Sequence, residues 1–157
     1  MTTKILYVCT YWGVRSQIAS LLTNALNEPS VVSECAGFEA GKIGDLPRKI
    51  MRDRGLTLSA ESPDTLFGYA RKSSDYDYVI TLCNQHTQEN FAVLYKVVDL
   101  LFRDHAKIVH WNIADFMSID ASGAARERAA NEIVDAIESK VHALVDELRT
   151  RSGASAG

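Results

Sequence analysis

The sequence predicts an α/β fold: a four-stranded parallel sheet with helices on both faces and a phosphate-binding loop after the first strand. Three observations lead there. Short, β-rich apolar runs alternate with stretches of helical period, the pattern of a parallel sheet covered on both sides. The first run, Lys4 to Cys9, passes through a short loop into a helix that opens near Arg15. No repeat, linker or break in composition divides the 157 residues. Residues 1–150 therefore read as one domain, and 151–157 (Arg-Ser-Gly-Ala-Ser-Ala-Gly) as a flexible tail.

The elements follow in order. Residues 4–9 are apolar enough for a strand buried on both faces. Residues 15–27 carry Ile18, Leu21, Leu22, Ala25 and Leu26 at helical spacing, and Asn27-Glu28-Pro29 ends that helix. Val31 to Ala36 reads as a second strand stopped by Gly37, and Gly41 to Asp45 as a loop. Leu46 to Arg54 reads as a helix with Pro47 in its first turn and Gly55 as its stop. Ser62-Pro63-Asp64 has the form of a helix start, with the helix running to about Lys72. Residues 76–83 give a third strand, with Tyr76 and Tyr78 expected on one face. Residues 91–103 suit a helix by length and a strand by β-branched content. Lys107 to Trp111 is a fourth strand. From Gly123 to Arg149 one long helix puts Ile133, Ile137, Val141, Leu144 and Leu148 on one side.

Composition narrows the partners. With 46% hydrophobic and 24% charged residues and a net charge of −3, the chain lacks the basic footprint of a nucleic-acid binder. No apolar run reaches membrane-spanning length. Cys9, Cys35 and Cys83 are an odd set without paired spacing, and no signal-peptide pattern opens the chain. A cytoplasmic protein with reduced thiols is expected. Cys83-x2-His86 is half of a metal site with no second half, so neither a metal nor a cofactor is expected.

The chemistry concentrates at strand ends, where ligands bind in parallel sheets. Cys9 closes the first strand, and the loop Thr10, Tyr11, Trp12, Gly13, Val14 leads to Arg15 and Ser16. Backbone N–H groups of such a loop can converge on an anion, the helix start adds positive potential, and Arg15 offers a planar fork for tetrahedral oxygens. Thiols in such surroundings ionise readily, and Ser16 is placed to donate a hydrogen bond to the sulfur, making Cys9 a candidate nucleophile. Cys83 ends the third strand, either as a resolving thiol or as a small buried hydrophobe. Asp115 follows the fourth strand as a candidate general acid, with Asp120 a weaker competitor in a turn. Cys35 reads as core, His105 and His110 as surface or satisfied histidines, and Tyr11 and Trp12 as an aromatic wall or loop packing.

On these residues the chain resembles the low-molecular-weight protein tyrosine phosphatase superfamily, and within it is similar to the thioredoxin-coupled arsenate reductases. The carriers are Val8-Cys9 through Arg15-Ser16-Gln17, Cys35-Ala36-Gly37, Val79-Ile80-Thr81-Leu82-Cys83, and His110-Trp111 with Asp115. The resemblance implies Cys9 as nucleophile, Arg15 as oxyanion ligand, Asp115 as general acid and Cys83 as resolving cysteine. It implies a small oxyanion substrate, arsenate, with a thiol reductant (thioredoxin or a small thiol). The alternatives are a phosphotyrosine or phosphomonoester phosphatase working through a Cys9 phosphoenzyme, and a non-catalytic oxyanion or phosphopeptide binder. The chain departs from the pattern at three places. Tyr11-Trp12 replaces the usual Gly-Asn of the loop, Asn90 stands where a second resolving cysteine is usual, and Phe116 replaces the proline after the acid.

Overall fold

The computed structural model describes residues 2–85 and 91–156, with backbone alone at Ala70 and 152–156. His86 and Asn90 lie outside the described residues. Four strands, β1 (Thr3–Tyr11), β2 (Val31–Glu39), β3 (Tyr78–Cys83) and β4 (Lys107–Asn112), pair in parallel in the order β2-β1-β3-β4. Four helices cover them: α1 (Val14–Ala25), α2 (Asp45–Asp53), α3 (Phe91–Phe102) and α4 (Gly123–Ala156).

Alternation along β1 sorts the core into two layers. Ile5, Tyr7 and Cys9 face α1, α2 and α4, where they meet Ile18, Leu22, Ile50, Val134, Ile137 and Val141. Leu6 and Val8 face the other side, with Leu66, Tyr76, Leu94, Val98 and Phe102. Each such aliphatic side chain contributes about 1.5–3 kcal/mol on burial, so both faces hold β1 in register. The chain first crosses from β1 to β2 and then to β3 on the opposite side. The carboxyl ends of β1 and β3 thus form the switch point where an open parallel sheet binds ligands.

Several elements differ from the sequence reading. β1 runs two residues past Cys9, because Tyr11 pairs with Glu39 on a β2 that itself continues past Gly37. The segment after Pro63 is extended as far as Thr65, which bridges to Gly37, and then forms a 3₁₀ stretch, Leu66–Asp75, kinked at Lys72. Residues 91–102 are a helix, since Leu94, Val98 and Phe102 recur at helical spacing on a buried face. α4 continues through Ala156, so most of the expected tail is helical, and the Arg151–Glu147 pair at 2.6 Å ties its last turns together. Tyr76 and Tyr78 pack on opposite faces, because Tyr76 precedes the strand and turns into the α3 layer. Among the described residues no helix is long and apolar enough to cross a membrane.

Candidate active site

Cys9 sits two residues short of the end of β1, between Gly37 of β2 and Leu82 of β3, with no exposed surface. Its thiol points into the α1 layer and donates toward Ser16 Oγ at 3.4 Å, with the Tyr11 carbonyl at 3.7 Å. The Ser16 hydroxyl lies 2.9 Å from the Ala36 carbonyl and 3.1 Å from the Gly13 carbonyl. Having one proton, it donates to a carbonyl here and receives from the thiol. A thiolate at Cys9 would turn the bond round, with Ser16 donating to the sulfur.

Arg15, in the first turn of α1, is 1% exposed. One guanidinium nitrogen donates to the Ile113 carbonyl at 2.9 Å and another to Thr10 Oγ1 at 3.0 Å. A buried charge needs such partners, and these two span the site from the loop to the segment after β4. Sequence reasoning missed both, because a backbone carbonyl and a threonine at this distance in sequence carry no motif.

The loop itself is short. Trp12 and Gly13 both adopt left-handed backbone, φ 53° and 67°, which turns the strand into the helix in two residues. For tryptophan that conformation costs about 1–3 kcal/mol. Two contacts offset it. The Trp12 N–H donates to the Glu39 carbonyl at 3.0 Å. The indole lies against Gly41, where any side chain would collide with it. Gly13 is crowded by the Pro63 ring, and a Cβ on Gly37 would meet Gly13 N at 2.8 Å. The Gly37 and Gly41 positions are thus needed for close approach, not for their dihedrals. With Trp12 N–H bonded to β2, the amides of residues 10–12 follow the strand before the chain turns into α1.

Beyond the loop lies a cleft of about 160 Å³ lined by Tyr11, Trp12, Val14, Leu46, Asp115 and Met117, among others. Asp115 Oδ1 accepts from Met117 N at 3.2 Å, which caps the 3₁₀ turn Phe116–Ser118 and holds the carboxyl at the cleft. Asp120 does not line it. Arg126 of α4 does, a contribution that the sequence reading did not anticipate.

Cys83, the last residue of β3, is fully buried and faces the α3 layer, opposite to Cys9. Its carbonyl accepts from Ile113 N at 3.1 Å. One peptide therefore links the two cysteine neighbourhoods: Ile113 N–H reaches Cys83, and Ile113 C=O holds Arg15. Cys35 shares the face of Cys9, and burial, with the charges of Cys9 and Glu34, pushes its thiol up to about 12. All three thiols are free. His110 is satisfied, with Nδ1 2.7 Å from Thr81 Oγ1 and its ring stacked on Tyr95 at 3.7 Å.

Comparison with known proteins places this architecture. Residues 4–153 match the family model described as low molecular weight phosphotyrosine protein phosphatase. Over 80 residues the chain is 26% identical to a glutaredoxin arsenate reductase of Synechocystis sp., a match covering 51% of this chain and 60% of that protein's length. Among solved structures, an arsenate reductase from Archaeoglobus fulgidus superposes with a TM-score of 0.60 at 22% identity, covering 88% of this chain and 98% of that one. A low molecular weight protein tyrosine phosphatase from T. tengcongensis gives 0.69 at 14% identity, covering 93% and 99%. A match along nearly the whole chain, on a fold common to both kinds of enzyme, decides the assignment: the chain belongs to the low molecular weight phosphotyrosine protein phosphatase family.

Proposed function

We propose that this protein is a cytoplasmic arsenate reductase that works through Cys9 and resolves through Cys83. The observation that carries the reductase reading is the place of the second thiol. Cys83 lies one residue beyond Leu82, the cross-strand neighbour of Cys9. With strands about 4.8 Å apart and a rise of about 3.3 Å per residue, the two Cα atoms are about 6 Å apart, within disulfide range. Only the side-chain direction is wrong. Cys83 is the last residue of its strand, so turning it requires release of its Ile113 hydrogen bond and withdrawal of the thiol from the α3-side core.

In this reading the oxyanion competes for the groups that the loop already holds. Arg15 turns its fork from Ile113 and Thr10 to the oxyanion, and Trp12 N–H leaves Glu39 so that the loop amides of Thr10 to Val14 can converge. The Cys9 thiolate attacks As(V), and one arsenate oxygen departs as water after taking a proton from Asp115. Cys83 then attacks Cys9 Sγ. The S–As bond breaks with its electron pair on arsenic, arsenite leaves, and two thiolates have become one disulfide. Once arsenite leaves, Arg15 returns its fork to the Ile113 carbonyl and Thr10. A thiol reductant restores both cysteines.

A second reading has its own support. The cleft beside the loop carries Leu46, Pro47, Phe116 and Met117, an apolar lining suited to the organic group of a phosphate ester. On that reading Cys9 takes the phosphoryl group and water removes it, with Cys83 a bystander. Arsenate-dependent oxidation of dithiothreitol, assayed beside hydrolysis of a chromogenic phosphate ester, separates the two. The reductase reading expects arsenate turnover lost in both Cys9→Ser and Cys83→Ser. Ester hydrolysis that survives Cys83→Ser, with no arsenate turnover in the parent, favours the phosphatase.

A further inference from the structure

The two edges of the sheet are finished differently. On β2 the Asn24 side chain accepts from the Ser33 N–H at 3.2 Å and donates to the Ser33 carbonyl at 3.3 Å. Further along, Gly37 N donates to the Asp64 carbonyl at 3.4 Å, where Thr65 bridges to the strand. That edge is covered. On β4 the N–H groups of Lys107 and Ile113 turn inward, to the carbonyls of Asp77 and Cys83. Backbone direction alternates along a strand, so the N–H and C=O groups of Ile108, His110 and Asn112 turn outward. No described group pairs with them. Apart from Lys107 at its start, β4 carries none of the usual guards of an edge, neither a proline nor a bulge.

The flank beside this edge is complementary to itself. α4 lies along β4 in the opposite direction: residues 140–147 border residues 107–111, and residues 129–136 border residues 112–119. Between helix and strand runs an open groove of about 270 Å³, with Val109 and Trp111 on the strand side and Ala143 and Leu144 on the helix side. Lys140 and Glu147 line it too, three residues before Ala143 and three after Leu144. Residues at i, i+3, i+4 and i+7 share one helix face. The stripe therefore reads cation, apolar, apolar, anion. Rotated by half a turn about its midpoint, it sets cation against anion and apolar against apolar. Lys140 has no ion-pair partner among the described residues, and Glu147 is held by Arg151 at 2.6 Å. The midpoint of the stripe lies beside Val109, which is also midway between the outward-facing backbone groups of Ile108 and His110.

We propose that β4 and α4 form an interface with a second copy of this chain, across a two-fold axis that passes through the sheet at Val109. β4 pairs antiparallel with its copy: Ile108 exchanges both backbone hydrogen bonds with His110 of the partner subunit. In the same layer α4 lies beside its copy, with Lys140 against Glu147 of the partner subunit, and the two grooves close into one apolar seam. The two sheets become one continuous sheet without the open edge. Each copy presents the same patch, as a closed two-fold dimer requires. Because β4 and its copy run in opposite directions, the two Cys9 clefts open at opposite ends of the joined sheet. The proposal is independent of the reaction at Cys9, and its test needs no activity.

Sedimentation equilibrium of the full-length protein is expected to show a dimer that dissociates on dilution. Ile108→Pro removes a donor that only the partner uses and leaves the bonds to β3 in place. It is expected to be monomeric, with a far-UV spectrum like the parent's. Lys140→Glu and Glu147→Lys each bring like charges together twice per dimer, and each is expected to raise the dissociation constant on the order of tenfold. The double variant Lys140→Glu/Glu147→Lys restores opposite charges across the axis and is expected to recover dimerisation, which a merely structural effect of either change would not do. Hydrogen exchange at the Ile108, His110 and Asn112 amides is expected to slow as protein concentration rises. A parent that stays monomeric at near-millimolar concentration overturns the proposal and leaves the edge to a strand of another protein. A dimer that withstands a folded Ile108→Pro, or single-variant losses that the double variant deepens, overturns it as well. If Ile108→Pro fails to fold, the charge reversal and the exchange rates decide.

Discussion

Cys9 and Cys83 sit at neighbouring strand ends and live in different environments. Cys9 is surrounded by polar groups: the Ser16 hydroxyl, the Tyr11 carbonyl, and the α1 start with its buried Arg15. Cys83 packs with Leu6, Val8, Leu94 and Val98 on the other face of the sheet. The period of two along a strand explains the split, since a one-residue offset between paired strands reverses the face. One thiol lies among polar groups and the other in a hydrophobic layer. The Ile113 peptide hydrogen-bonds to both neighbourhoods, to the Cys83 carbonyl through its N–H and to Arg15 through its carbonyl.

The comparison breaks most sharply at the cysteines themselves. Cys9→Ser is expected to lower arsenate turnover on the order of 10³-fold or more, and any ester hydrolysis with it. Cys83→Ser is expected to end multiple turnover of arsenate while leaving ester hydrolysis intact. Parallel assays of the two variants check this, and equal loss of both activities in Cys83→Ser would mean that the second thiol is structural.

Arg15→Lys comes next. A lysine keeps the charge but loses the fork, so a drop in kcat/KM for the oxyanion of about 10²–10³-fold is expected. Thr10 and the Ile113 carbonyl lose a partner in a buried place, at about 1–3 kcal/mol, which thermal unfolding would register as a fall in Tm. An unchanged Tm with normal turnover would remove Arg15 from the account.

Trp12→Asn sharpens the role of the loop. Asparagine tolerates left-handed backbone better than tryptophan, and it gives up the indole packing on Gly41 that keeps residues 10–12 on β2. Alkylation of Cys9 is expected to speed up roughly tenfold, the worth of about one hydrogen bond with its packing. Alkylation at the parental rate would show that Trp12 does not hold the loop.

The smallest effect concerns His110, on the Cys83 side of the sheet. Burial holds its pKa below the usual 6.5, with Asp99 partly opposing. The unfolded chain therefore takes up a proton first as pH falls below about 6.5. The His110 contribution is intact above that value and is lost as pH falls toward its folded pKa. The urea unfolding midpoint of the parent is expected to fall more between pH 8 and pH 5 than that of His110→Asn, whatever offset the lost Thr81 bond and Tyr95 stacking leave at pH 8; equal falls would remove His110 from the account.

The comparison also explains what could be read from the sequence. Apolar runs located all four strands, and the spacing from Cys9 to Arg15 and Ser16 located the loop, because each is a local pattern. Asp115 was singled out by its place after a strand, and it lines the cleft. The face on which Cys83 lies depends on the register between β1 and β3, a property of two distant segments. The strand extension through Tyr11 depends on β2 continuing to Glu39, and the strained turn at Trp12 on Gly41 and Pro63 packing from outside. The 3₁₀ stretch replaced the helix expected after Pro63 because Thr65 is held against Gly37. Arg126 reaches the cleft only because α4 returns to the first loop, which no local pattern announces.

The most direct measurement is a single turnover. The fully reduced protein is mixed with excess arsenate without any reductant, quenched by rapid alkylation, and mapped by peptide mass spectrometry while arsenite is quantified. The account predicts about one arsenite per chain and one disulfide, between Cys9 and Cys83, with Cys35 alkylated. Arsenite formed without that disulfide, or a protein that keeps both Cys9 and Cys83 as thiols and yields no arsenite, would contradict it.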